Sequence, residues 1–241
     1  MKQPSQNSPI ILAIETSGLC GSVALVTEHT TLAEYSLNTS TTHSKKILVV
    51  IDQMMTTTGL DMEAIDGIAV SLGPGSFTGL RIGLSTAKGF AMATGKPLLG
   101  IPTLDAMAAQ FSFTPQLICP VLDARKKEVY AALYRSDKTG KIEKISDDMV
   151  LSPEALAEKI NEPVLLVGDG AKQYKELFLE KLEGNALFPA GELFFPRGSS
   201  IGMLALQSFQ QNKVDPARAE PIYVRKSDAE LSLGKRSTDF L

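Results

Sequence analysis

The chain has 241 residues, 44% hydrophobic and 21% charged, with a net charge of −3. That length holds one large or two small domains, and the slight negative charge excludes a general electrostatic drive toward nucleic acid or an anionic membrane. Cys20 and Cys119 are too few for a disulfide framework or a zinc site, the polar start MKQPSQNSP lacks the apolar stretch of a secretory signal, and no apolar run reaches bilayer length, so a soluble cytoplasmic protein is expected.

In chain order, Ile10–Glu15 (IILAIE) is an apolar run ending in a carboxylate. After the turn TSGLCG, Ser22–Thr27 and Thr31–Leu37 read as two more strands. His43–Thr58 has helical spacing, with Thr41 or Thr42 placed to cap it. Asp66–Leu72 reads as a buried strand. It leads through SLGPGSFTGLRIG (71–83) into a helix from about Thr78 to Thr94, and the short strand LLGI follows, ending near Pro102. The second half repeats this outline. Leu117–Asp123 again ends in an acid, the turn ARKK leads to the strand Glu128–Tyr134, and Met149–Leu151 precedes a helix over Pro153–Ile160. The strand VLLVG, the loop DGAK and the helix QYKELFLEKL complete the parallel. The repeat predicts a duplicated α/β unit, with domains over 1–102 and 103–241 and a cleft between them. This layout resembles the actin-like (ASKHA, ribonuclease H-like) superfamily, where a phosphate lies between two glycine loops and an acid holds the metal–phosphate unit.

The segments ILAIETS…GSVALV, THSKKIL, GPGSFTGLRIGLSTAKGFA and the late PIYVRK together resemble the TsaB (YeaZ-type) family, most strongly over residues 10–135. The resemblance implies an accessory subunit, not an enzyme on its own, in the synthesis of threonylcarbamoyladenosine in tRNA. Its implied partner is the catalytic paralogue TsaD, which holds ATP and metal and transfers threonylcarbamoyl to the adenosine beside the anticodon. A TsaE-like ATPase joins that pair, and tRNA is reached through the complex. TsaD-like enzymes carry paired histidines after the strand that follows their glycine loop; here that stretch is IPTLDAMAAQF, without histidine. No cofactor is required of this chain by the resemblance, and ATP or ADP would bind only weakly.

Residue by residue, two readings compete. Gly73, Gly75 and Gly79 permit close approach by another group, and Ser76 or Thr78 can cap the helix. With Glu15, Thr16 and Asp123 they form either a phosphate site or a turn kept from an ATP-binding ancestor; without P-loop lysine or metal ligands, the second is preferred. Glu15 and Asp123 either hold Mg²⁺ through water or cap the turns that follow them, and capping is preferred. Asp169 corresponds in outline only. Arg81 opposes the helix dipole and so calls for an acidic partner or a ligand. His29 and His43 do not make a zinc site, which excludes a metallopeptidase. Arg125-Lys126-Lys127 and Lys235-Arg236 are either solvated charge or phosphate contacts.

The helices say more. Ile47, Leu48, Val50, Ile51, Met54 and Met55 form a stripe of roughly 160°, wider than packing on one sheet needs. In the next helix Leu80, Leu84, Ala87 and Ala91 line one face, and Ile82, Gly89 and Ala93 the opposite one. A surplus apolar surface for a second actin-like subunit is expected, a heterodimer with the TsaD-like paralogue or a homodimer of the isolated chain. The rival expectation is an ATP-dependent transferase or kinase working through its own cleft.

Overall fold

The computed structural model describes residues 8–38, 43–190, 195–211, 220–222 and 224. Its first sheet contains β1 (Ile11–Glu15), β2 (Cys20–Val26), β3 (Thr31–Asn38), β4 (Gly67–Gly73) and β5 (Leu98–Pro102), in the spatial order β3-β2-β1-β4-β5. The β1–β2 and β2–β3 pairs are antiparallel, while β4 and β5 join in parallel after helical crossovers. Those crossovers are α1 (His43–Thr58) and α2 (Phe77–Thr94). A short helix, α3 (Thr103–Ala108), leads into the second unit.

The second sheet repeats the order. It contains β6 (Leu117–Arg125), β7 (Glu128–Ala131), β8 (Tyr134–Ser136), β9 (Ile142–Lys144), β10 (Met149–Leu151), β11 (Val164–Val167) and β12 (Ala186–Leu187). Its path is β10-β7-β6-β11-β12, which matches β3-β2-β1-β4-β5 strand for strand; β8 hangs on β6 and β9 on β8. The remaining helices are α4 (Pro153–Ala157), α5 (Asp169–Gln173), α6 (Lys175–Lys181) and α7 (Gly198–Gln210). This is the duplicated, actin-like α/β architecture.

Strand alternation sorts the cores, because successive side chains leave a strand on opposite faces. From β1, Leu12 and Ile14 pack with α1 and α2, while Ile11 and Ala13 face α7. In the second unit Val121 and Val129 pack with Leu156 and Phe178, and Ile118 and Tyr134 with Leu104 and Met107 of α3. Each large aliphatic side chain buried in these layers contributes about 1.5–3 kcal/mol.

Several expected boundaries shift. The expected strand Glu128–Tyr134 is two strands, β7 and β8, with a break after Ala131. The expected loop DGAK is already helical as α5, and Tyr174 (φ −105°, ψ 23°) separates it from α6. The division at residue 102 also needs correction. Helix α7, from the expected second domain, packs across β1 and β2 of the first sheet, and Ile201, Ala205 and Leu206 fill the core with Ala13, Ala24 and Val26. A methyl at Gly198 would press on the amide of Ala24, and one at Gly202 would overlap Val26, so the helix lies close against the sheet. Among the described residues, no helix is long and apolar enough to cross a membrane.

Candidate functional site

Between the two units runs a cleft of about 1080 Å³. One wall is the β1–β2 turn with the glycine loop and Arg81; the other is the end of β6 with Asp169 and Lys172. Ile222 and Val224 line it too. The Ile222 amide donates to the Leu72 carbonyl at 2.7 Å, while Val224 packs on the core of the second unit. Of the seven residues proposed from sequence for a phosphate site, Gly75, Ser76 and Asp123 line this cleft. Glu15, Thr16, Gly73 and Gly79 are not in its lining.

The glycine loop explains why. The close approach that Gly75 and Gly79 allow is taken up by the chain itself: a methyl there would overlap the carbonyl oxygens of Ser17 and Thr16, respectively. The Ser76 amide donates to the Ser17 carbonyl at 2.6 Å, and Thr16 Oγ1 donates to the Gly79 carbonyl at 2.8 Å. Ser76 caps α2 by accepting from the Gly79 amide at 3.3 Å. The loop is therefore clamped onto the β1–β2 turn, whose backbone fills the space beside Gly75 and Gly79. The second unit repeats the device, since a methyl on Gly168 would overlap the Val121 carbonyl in the middle of β6.

The acids separate into two environments. Glu15 is fully buried; its Oε1 accepts from the Ser17 amide, while Oε2 and the Ser17 hydroxyl have no hydrogen-bond partner among the described residues. Burial pushes its carboxyl up to about 6, against hydrogen bonds from Ser17 and Ser71 that act the other way. Asp123 and Asp169 meet across the other wall, where the Asp123 amide donates to Asp169 Oδ1 at 3.0 Å. Asp123 also accepts from the Arg125 amide at 3.0 Å and pairs with its guanidinium at 3.3 Å. Burial raises the Asp169 carboxyl. Glu15 thus does not join the Asp123–Asp169 pair. Among the described residues no group of three or more His, Cys, Asp or Glu gathers as a metal site.

Arg81 does not have the acidic partner expected of it among the described residues; its guanidinium lies 3.8 Å from the centroid of the Phe77 ring. Arg125, Lys126 and Lys127 have φ of 63°, 56° and 61°. Arg125 pairs with Glu128 in the ladder, so Lys126-Lys127 is a two-residue hairpin turn. Such turns need positive φ, for which Asn-Gly is the usual sequence; for lysine the conformation costs roughly 1 kcal/mol per residue. Lys235, Arg236, three of the six residues of PIYVRK and the capping threonines 41 and 42 lie outside the described residues.

The expected partner stripe needs correction. Ile47, Ile51, Met54 and Met55 are buried in their own chain, because that edge of α1 rests on the first sheet beside Leu12, Val23 and Ile68. Val50 and Ile82 are half-buried. What remains exposed is a neighbouring arc: Leu48 (54%) and Val49 (66%) on α1, with Gly89, Met92 (86%) and Ala93 on α2. A shallow hollow of about 270 Å³ between the helices is floored by Ile51, Met55, Met62 and Phe90. Val49, Met92 and Phe90 escaped the sequence reading, since an all-round apolar helix does not reveal which edge its sheet covers. Met92 sits one turn from Gly89 and Lys88, the only signal it gave.

Comparison with known proteins agrees with this geometry. A family model described as "TsaD: tRNA N6-adenosine threonylcarbamoyltransferase" matches residues 32–233. The protein named tRNA threonylcarbamoyladenosine biosynthesis protein TsaB in Escherichia coli K12 is 34% identical over 91% of this chain and 96% of its own. The Bacillus subtilis protein of the same name is 30% identical over the same shares. The solved structure of YeaZ from Pseudomonas aeruginosa superposes with a TM-score of 0.75 at 25% identity, covering 90% of this chain and all of that one. Component A of (R)-2-hydroxyglutaryl-CoA dehydratase from Acidaminococcus fermentans, at 9% identity and a TM-score of 0.52, shares the fold alone. On its sequence, its duplicated sheets and these relatives, the chain belongs to the TsaB family of tRNA threonylcarbamoyladenosine biosynthesis proteins.

Proposed function

We propose that this chain is a partner-binding subunit in tRNA threonylcarbamoyladenosine biosynthesis, that it pairs through α1 and α2 with a TsaD-like catalytic paralogue, and that it does not itself transfer the threonylcarbamoyl group. The observation that carries the reading is that apolar side chains stand exposed on both helices, Leu48 and Val49 on α1 and Met92 on α2, with Leu48 lining the hollow over Phe90. Side chains of that kind, grouped on two adjacent helices, favour burial against another apolar helix pair. The exposed backbone at Gly89, where an added methyl would meet nothing within 4 Å, lets a second helix come close. The clamped glycine loop supports the non-catalytic part. Binding that favours one arrangement of the paralogue over another would then set its activity.

The test is co-elution of the purified chain with the TsaD-like protein of the same organism. Leu48→Glu and Met92→Glu are expected to abolish the complex while leaving the thermal midpoint unchanged. Calorimetry with Mg-ATP on the isolated chain supplies the contrary arm. Micromolar binding with turnover would replace this reading with that of an ATP-dependent transferase.

A further inference from the structure

We infer that the hairpin tip Arg125-Lys126-Lys127 is a contact for the phosphate backbone of RNA. The inference rests on the proposed place of the chain in tRNA modification and adds to it a direct RNA contact.

Three successive cations stand at one tip of a chain whose net charge is −3, and all three are exposed. Each has the left-handed backbone that L side chains disfavour, and Lys126 and Lys127 fill a two-residue turn where asparagine and glycine fit without strain. Strained positions of this kind concentrate where a side chain has a task. Arg125 is held in place: its amide and its guanidinium both engage the Asp123 carboxylate.

The setting favours RNA among polyanions. Arg125 lines the cleft, and so do Lys172 and Arg81, the latter lying over Phe77. The exposed Phe77 ring under Arg81 lines it as well, so cations and a π-face share one concavity. Phosphate contacts beside stacking surfaces are what unpaired RNA offers a partner for. A lipid surface would call for apolar side chains at the tip, and the tip has none.

The test is the double substitution Lys126→Asn, Lys127→Gly, which removes two charges and supplies the turn's preferred residues. The chain, assembled with its TsaD-like partner, is titrated against a fluorescent tRNA anticodon stem-loop at several salt concentrations. The expected result is a higher thermal midpoint with RNA affinity reduced about tenfold, and a salt slope reduced by about 1.5 for two lost phosphate contacts. Lys126→Arg, Lys127→Arg retains affinity, and Lys138→Gln, a charge loss on a different hairpin, changes neither quantity. Unchanged affinity and slope in the double variant overturn the inference. So does intact RNA binding accompanied by loss of the TsaD-like partner, which would make the tip a protein contact. Should the unmodified chain fail to associate with that partner, the functional reading fails separately, and the same titration on the chain alone decides the hairpin.

Discussion

Thr16 Oγ1 donates a hydrogen bond to the Gly79 carbonyl at 2.8 Å and so ties the β1–β2 turn to the first turn of α2. The two segments touch backbone to backbone, and the glycines are what permits it. Gly79→Ala would drive a methyl into the Thr16 carbonyl, a rigid neighbour that cannot rotate away. The expected loss is about 3 kcal/mol, at the upper end of what overpacking costs. Thr16→Val removes only the hydrogen bond, with a loss of about 1 kcal/mol. Urea denaturation of both variants checks the order. Equal stabilities would mean the clamp contributes nothing.

The buried carboxyl of Glu15 makes stability depend on pH. Its value in the folded protein is about 6, against an ordinary 4.5. A raised value means the folded state holds its proton longer than the unfolded state does. The associated stability is complete below about pH 4.5 and is lost as pH rises through 6. Over that interval the loss is about 2 kcal/mol. Glu15→Gln removes the titration, so the variant is expected to be more stable than the parent at pH 8 and equal to it at pH 4. Chemical denaturation at the two pH values checks this; a variant weaker at pH 8 would show that the ionised carboxylate is the favoured form.

Two residues three apart on α1 separate exposed surface from core. Ile51 is 3% exposed and Leu48 54%. Ile51→Glu buries an unpaired charge and is expected to unfold the chain, at a cost above about 3 kcal/mol. Leu48→Glu places its charge in water and is expected to change stability by less than about 0.5 kcal/mol. Circular dichroism melts of both variants give the comparison. A similar loss in both would mean Leu48 is covered within its own chain.

Much of this was legible in the sequence because strand alternation and the glycine loop are local signals. The succession of β1 to β5 and its repetition in β6, β7, β10 and β11 follow from apolar runs and turns that can be read off a few residues at a time, whereas β9 and β12 were not expected. The partner face was harder. Ile47, Ile51, Met54 and Met55 share the apolar character of Leu48 and Val49, and the choice between them is made by where Leu12, Val23 and Ile68 present their side chains, which lie outside the helix on separate strands. Helix α7 was missed altogether. Its signal was the i, i+4 pair Ile201–Ala205, with Gly198 and Gly202 in the same phase, and its destination on β1 and β2 depends on the small residues Ala13 and Ala24 almost two hundred positions earlier. The glycine loop was found, but its use was not: that Thr16 and Ser17 would occupy the space is a tertiary fact.

The anchoring of α7 gives the last expectation. Glu34 on β3 accepts from the Arg197 guanidinium at 2.5 and 3.2 Å and from the amide and hydroxyl of Ser199 at 3.0 Å, at the start of α7. Burial alone would raise its carboxyl, but the hydrogen bonds from Arg197 and Ser199 outweigh burial and hold it below its ordinary 4.5. A lowered value means the contribution is complete above pH 4.5 and is lost as pH falls through the folded-state value, the opposite sense to Glu15. Acidification from pH 7 should therefore first stabilise the protein, as Glu15 takes up its proton, and then destabilise it as Glu34 does. Glu34→Gln keeps the shape but loses the charge, and is expected to cost about 2 kcal/mol at pH 7, discounted because Arg197 is 40% exposed. That cost should fall away as pH drops through the lowered folded-state value, below which both forms are neutral. Hydrogen exchange of the α7 amides locates the effect: faster exchange confined to Gly198–Gln210 fits an anchor for that helix, and a loss of protection spread evenly over the chain would assign Glu34 to the global core instead.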